Sequence, residues 1–117
     1  MSVEIESHAE CKASIHAIED AIYVIGGKWK LRIIVALRDS PMRFNEIQRM
    51  VSGISAKVLS NELKELEMNG LVNRKVYDDT PVKVVYSVTE YSKSLNNVLE
   101  TLVEWGKMHR EHIKTED

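Results

Sequence analysis

The sequence predicts a mainly helical domain that carries one small β-hairpin. Apolar residues recur at steps of three and four over most of its 117 residues. Gly26-Gly27, Ser52-Gly53 and Asn69-Gly70 cut that pattern into helix-sized pieces. Two short runs between Leu71 and Val88, rich in β-branched and aromatic residues, flank an Asp-Asp-Thr-Pro turn and read as paired strands.

The elements follow in order. From Lys12 to Ile25 the residues Ile15, Ile18, Ile22 and Ile25 mark one face of an amphipathic helix, which Gly26-Gly27 ends. Cys11 falls just before it. Lys28 to Arg38 restarts as a helix that is apolar on most faces (Trp29, Leu31, Ile33, Ile34, Val35, Leu37), as expected of a central, buried element. Asp39-Ser40-Pro41 breaks it, and Met42-Arg43-Phe44 is short and extended. Asn45 then stands as an N-cap with Gln48 three residues on, opening a short helix that turns Phe44, Ile47 and Val51 inward. After Ser52-Gly53, Ser55 caps a helix from Ala56 to about Asn69 with Leu59, Leu63 and Leu66 on its inner face. Two helices of unequal length joined by a tight, Gly-containing turn have the spacing of a helix-turn-helix.

Two strands come next, Leu71 to Tyr77 and Lys83 to Val88, with Asp78-Asp79-Thr80-Pro81 as the turn between them. Val72, Arg74 and Val76 share one face of the first strand, and Val84, Tyr86 and Val88 one face of the second. Thr89 caps a final helix from Glu90 to about Lys114, whose apolar stripe (Tyr91, Leu95, Val98, Leu99, Leu102, Trp105) is long for so small a body. That order of elements is a winged helix-turn-helix. Residues 12–25 form the N-terminal helix, 28–88 the core and wing, and 89–114 the C-terminal helix of one domain spanning 1–117.

Composition narrows the class. With 44% hydrophobic and 29% charged residues the chain should be a soluble globule with a real core. Its longest apolar runs, AIYVIGG and IIVAL, are far short of the roughly 20 residues that cross a membrane. The acidic N-terminus has no apolar signal segment, and a single cysteine suits a reducing compartment, so a cytoplasmic protein is expected. The net charge of −2 conceals an asymmetry. Residues 28–85 carry 11 basic against 7 acidic side chains, a surplus of four, between acidic ends. A basic middle suits a polyanion-binding core.

The stretch from GGKW through RFNE, GIS, L…L..LE..GLV.R and VxYSVT to Trp105-Gly106 resembles the HxlR-type regulators of the MarR-like winged helix-turn-helix group. It covers about Cys11 to Gly106. The resemblance implies a DNA-binding transcriptional regulator. It also implies a thiol sensor at Cys11, because some of these regulators use a cysteine near this point to sense electrophiles or oxidants, through thiol modification or an inter-subunit disulfide.

On DNA, a recognition helix puts side chains of its first turns against base edges. With Leu59, Leu63 and Leu66 turned inward, the outward positions are Lys57, Ser60, Asn61 and Lys64, with Ser55 at the cap. Asn61 has the paired donor and acceptor that fit an adenine edge, and the lysines reach guanine or phosphate. Backbone N–H groups at the Ser55 cap offer a phosphate seat. Arg43 is placed to clamp the backbone, with Lys28 and Lys30 as weaker candidates, and Arg74 and Lys83 supply the stem of the wing. The Asp78-Asp79 tip argues against deep insertion of the wing into the minor groove.

The long C-terminal stripe, together with Ile15, Ile18 and Ile22, predicts a homodimer. Two recognition helices about 34–36 Å apart would then read a pseudo-palindromic double-stranded operator. His109 and His112, at i and i+3, lack the further ligands that a closed metal site needs, so neither metal nor cofactor is expected. No Gly-rich phosphate loop, HExxH or nucleophile elbow points to an enzyme. A second reading, an interaction module of the same shape that has lost DNA binding, draws on the net charge and the acidic wing tip.

Overall fold

The computed structural model describes residues 2–116, with side chains from 7 to 115. Met1 and Asp117, the ends of the expected domain, lie outside the described residues. The order is α1 (Ser2–Ile25), α2 (Lys30–Arg38), α3 (Phe44–Met50), α4 (Ala56–Met68), β1 (Val72–Tyr77), β2 (Lys83–Val88), a 3-10 turn (Tyr91–Leu95) and α5 (Asn96–Glu116).

Helix α1 starts ten residues before the expected Lys12. Nothing between Ser2 and Ile25 is Gly or Pro, so nothing stops the helix on its way back. The isoleucine spacing marks where the apolar stripe begins rather than where the helix does. Cys11 therefore lies inside α1 and is exposed there, not in a segment ahead of it.

The core is built where α2, α3 and α4 meet. Ile33, Ile34 and Leu37 of α2 pack with Ile47 of α3 and with Leu59, Leu63 and Leu66 of α4, and Leu71, Val72 and Leu99 close the cluster. Each such side chain contributes about 1.5–3 kcal/mol by leaving water. Helix α2 is central as expected but not buried all round. Leu31 and Val35 line an open groove of about 830 Å³ with Met50, Leu99, Leu102 and Val103.

Helix α3 begins at Phe44, with Arg43 at the cap position, two residues before the expected cap Asn45. Glu46 Oε1 accepts the Arg43 N–H at 2.9 Å, one half of a capping box, since the arginine side chain has no acceptor to return the bond; Asn45 with Gln48 does not form the expected box. Gln48 instead donates from Nε2 to the Ile54 carbonyl at 3.2 Å, tying α3 to the turn before α4. Gly53 in that turn has φ +91°, a conformation side chains rarely adopt. Ser55 caps α4 as the sequence predicts, its Oγ accepting from Val58 N at 3.2 Å. At the other end Leu71 N–H reaches Leu66 O and Gly70 N–H reaches Glu67 O, the paired bonds of a Schellman motif, with Gly70 at φ +76°.

The hairpin pairs Val72 with Val88 through Tyr77 with Lys83. Met42 adds a short bridge to Tyr86, so the extended piece before α3 joins the wing. Of β1 only Val72 is buried; the expected shared face with Arg74 and Val76 is open.

The final helix is not continuous. Thr89 Oγ1 and the Thr89 carbonyl both take the Ser92 N–H, and Lys93 N–H bonds Glu90 O, so the first turn keeps 3-10 spacing before α5 starts at Asn96. Thr89 Oγ1 also donates to Gly70 O at 2.7 Å, fastening the exit of the wing to the end of α4.

Candidate nucleic-acid interface

Helix α4 turns Leu59, Leu63 and Leu66 into the core. The helical period then places Lys57, Asn61 and Lys64 in one outward row at i, i+4 and i+7, and all three are exposed. The row spans about 10.5 Å of helix, roughly three base pairs of duplex. Ser60 stands on the flank of this row and is half-buried. Met68 extends the row at its far end, 85% exposed, a position that sequence reasoning missed. Because Ser55 Oγ occupies the Val58 N–H, the N–H groups left to meet a phosphate at this end are those of Ala56 and Lys57.

Arg43 is exposed at the start of α3. It lines two clefts that flank this point. One, of about 600 Å³, is shared with Asn45, Arg49 and Val82; the other, of about 270 Å³, with Tyr77 and Lys83. The structure thus brings Arg43 and Lys83 to one edge and adds Arg49, which the sequence reading passed over. Tyr77 was also missed. Its ring centre lies 5.0 Å from Lys75 Nζ and 5.8 Å from Lys83 Nζ, so one aromatic ring gathers both wing lysines. The signal was present: Lys75 shares its strand face, and Lys83 is its cross-strand partner. Arg74 is exposed on β1 opposite Tyr86, and Asp78 and Asp79 are exposed at the tip.

Lys28 and Lys30 differ. Lys28 is exposed, its ammonium 4.7 Å from the Trp29 ring centre, with Arg32 at 5.4 Å. Lys30 is no phosphate candidate: it is 8% exposed, with Nζ 2.7 Å from Glu62 Oε2 and 2.5 Å from Glu65 Oε2, both on α4. Burial works to lower the Lys30 pKa, but hydrogen bonds and attraction from Glu62 and Glu65 outweigh it and hold the ammonium above its ordinary value. The buried Glu62 Oε2 has no donor other than that ammonium among the described residues.

Away from this face, Cys11 lies in line with Ile15, Ile18 and Ile22 along α1. His109 stacks on Trp105 at 4.9 Å and is followed by His112 at 6.5 Å. Among the described residues no group of three or more His, Cys, Asp or Glu could hold a metal ion, and no helix is long and apolar enough to cross a membrane.

A helix-turn-helix with an exposed polar helix face beside a two-stranded wing defines a transcriptional regulator of the winged helix-turn-helix class. The HxlR-like helix-turn-helix family model matches residues 24–114, and the chain belongs to that family. It is 44% identical over 96 residues to an uncharacterized HTH-type transcriptional regulator of Methanothermobacter thermautotrophicus, covering 82% of this chain and 73% of that one. An uncharacterized HTH-type transcriptional regulator of Halalkalibacterium halodurans is 46% identical over 106 residues, 86% and 94% of the two chains. Among solved structures, the redox regulator HypR in its reduced form is similar with a TM-score of 0.79 and 37% identity, over 85% and 98% of the chains. The reduced form of the transcriptional regulator YodB from Bacillus subtilis is similar with a TM-score of 0.69 and 42% identity, over 76% and 87%. This is a family of transcriptional regulators and not of enzymes.

Proposed function

We propose that the protein is a homodimeric regulator that lays α4 in the major groove of each half of a pseudo-palindromic operator. One observation carries this reading: Lys57, Asn61 and Lys64 form an exposed row on a helix fixed at both ends. Lys57 and Asn61 read base edges, and Lys64 meets guanine or phosphate. Ser55 and Ser60 border the row, the first beside the phosphate seat at the helix start. Arg43 clamps the backbone, and Arg74 and Lys83 hold the wing stem to the flanking phosphates.

The dimer rests on uncovered apolar surface. Ile18 and Ile22 of α1 are 58% and 60% exposed, and Leu102 and Trp105 of α5 are 47% and 57% exposed. The groove between α2 and α5 is continuous with that α5 stripe through Leu102 and Val103. A second copy covers these faces and doubles the basic middle.

Cys11 is the proposed redox switch, and its place in the α1 stripe puts it at the same interface. The similarity to HypR, a redox regulator, and to YodB, which is also known in a diamide-treated form, supports this assignment. On oxidation two Cys11 thiols lose two protons and two electrons to the oxidant, leaving one inter-subunit disulfide. The protein works in the cytoplasm, where the thiols are kept reduced.

Mobility shift of a duplex at varied salt tests the DNA reading. Affinity should fall by about 10³-fold or more between roughly 50 and 200 mM salt, as expected for six or more phosphate contacts per dimer. No shift even at the lowest salt would instead favour an interaction module that keeps the shape alone.

A further inference from the structure

Helix α4 has the wrong charge for its task. It carries Lys57 and Lys64 but also Glu62, Glu65 and Glu67, so by itself it should repel a duplex. By helical position Glu62 and Glu65 lie between the core stripe and the outward row of Lys57, Asn61 and Lys64. Glu65 is one turn from Asn61, and its side chain is 57% exposed, so without a partner it is free to swing onto that row.

Lys30 of α2 supplies the partner. Its ammonium is within ion-pairing distance of both carboxylates, on the side of α4 away from the row. A buried lysine held by carboxylates is weak support for a fold, because an apolar side chain of the same length fills the space without the cost of desolvation. An apolar side chain cannot, however, restrain or neutralise the two carboxylates. Contact with phosphate is not the role, since Lys30 is 8% exposed.

We infer that Lys30 is a positioning residue for DNA recognition: it draws Glu62 and Glu65 off the DNA-facing row of α4, offsets one of their two charges, and fixes the rotation of that row. The inference rests on the DNA-binding reading above and assigns a role to a residue that touches no DNA.

The test uses the full-length protein and a fluorescein-labelled mixed-sequence duplex of about 30 bp, read by anisotropy across a salt series. Lys30→Met should weaken binding about ten-fold at roughly 50 mM salt, the loss expected for one unit of effective charge per site, and the deficit should shrink as salt rises. Adding Glu62→Gln and Glu65→Gln to Lys30→Met removes both negative charges and should restore affinity at least to that of the parent, and Lys30→Arg should stay within about two-fold of the parent. Where Met costs the fold by circular dichroism, Lys30→Gln keeps a polar but uncharged side chain at this position and should show the same deficit. Folded Lys30→Met or Lys30→Gln binding as the parent does would overturn the inference alone, as would a triple variant no better than Lys30→Met. A parent that binds no duplex at any salt overturns the DNA reading and this inference with it.

Discussion

Lys57 and Asn61 are one helical turn apart and exposed, and among the described residues neither side chain has a hydrogen bond or ion pair. Replacing both by Ala should cost roughly ten-fold or more in preference for the operator over mixed sequence, while circular dichroism and oligomeric state stay as in the parent. Competition binding with the two duplexes checks it. Lys30 makes a different, pH-dependent contribution. Its pKa in the folded chain is raised above the ordinary 10.5, so the stabilisation from its ion pairs is fully present below that value. It is lost as pH rises through the folded-state pKa. Relative to Lys30→Met, the parent's free energy of unfolding in urea should therefore hold steady up to about pH 10 and fall above it. A parent that gains stability over the variant in alkali would contradict this. Thr89 acts through two bonds of one hydroxyl, to Gly70 O and from Ser92 N. Thr89→Val keeps the shape and removes both, and should lower the free energy of unfolding by about 1–2 kcal/mol.

At the scale of elements, the end of α4 is set by Gly70 at φ +76°. Gly70→Ala should destabilise by about 1 kcal/mol or more in the same urea experiment, since a Cβ is strained in that conformation even where space is open. The caps and stops around α4 were legible because each is a local event: Ser55 and Gly70 do in the fold what their chemistry dictates. The start of α1 was not, because a helix without breakers extends past the point where its apolar stripe begins. The cap of α3 also misled. Asn45 with Gln48 and Arg43 with Glu46 both satisfy the box spacing; in the fold Glu46 takes the Arg43 N–H and Gln48 is engaged with the Ile54 carbonyl instead. Within the candidate interface, the row on α4 followed from one helical period, and the structure keeps it exposed. Lys30 was misread because its partners lie more than thirty residues away on another helix, and no periodicity in α2 announces them. Tyr77 and Arg49 needed the register of the hairpin and its distance from α3.

The whole molecule is too long for one chain of its size. A compact fold of this length has a radius of gyration of about 13 Å, whereas this one has 18.1 Å and extents of 69 × 38 × 23 Å. The excess comes from α1, exposed from residue 7 to residue 23, and from α5, exposed from residue 100 to residue 115. Ile18→Asp with Leu102→Asp should turn a dimer into a monomer by light scattering, with loss of DNA affinity, and should leave the core untouched because neither side chain is in it. Oxidation enters at this scale too. Diamide should convert the monomer band of the parent into a dimer band on a non-reducing gel, and Cys11→Ser should abolish the change.

The account is tested most directly by selecting binders from a random-sequence duplex library, with the parent and the Lys57→Ala/Asn61→Ala variant in parallel. The parent should enrich an inverted repeat whose half-sites are about 10 bp apart, and the variant should enrich none. A parent that enriches no symmetric sequence, or a variant that enriches the same one, would contradict it.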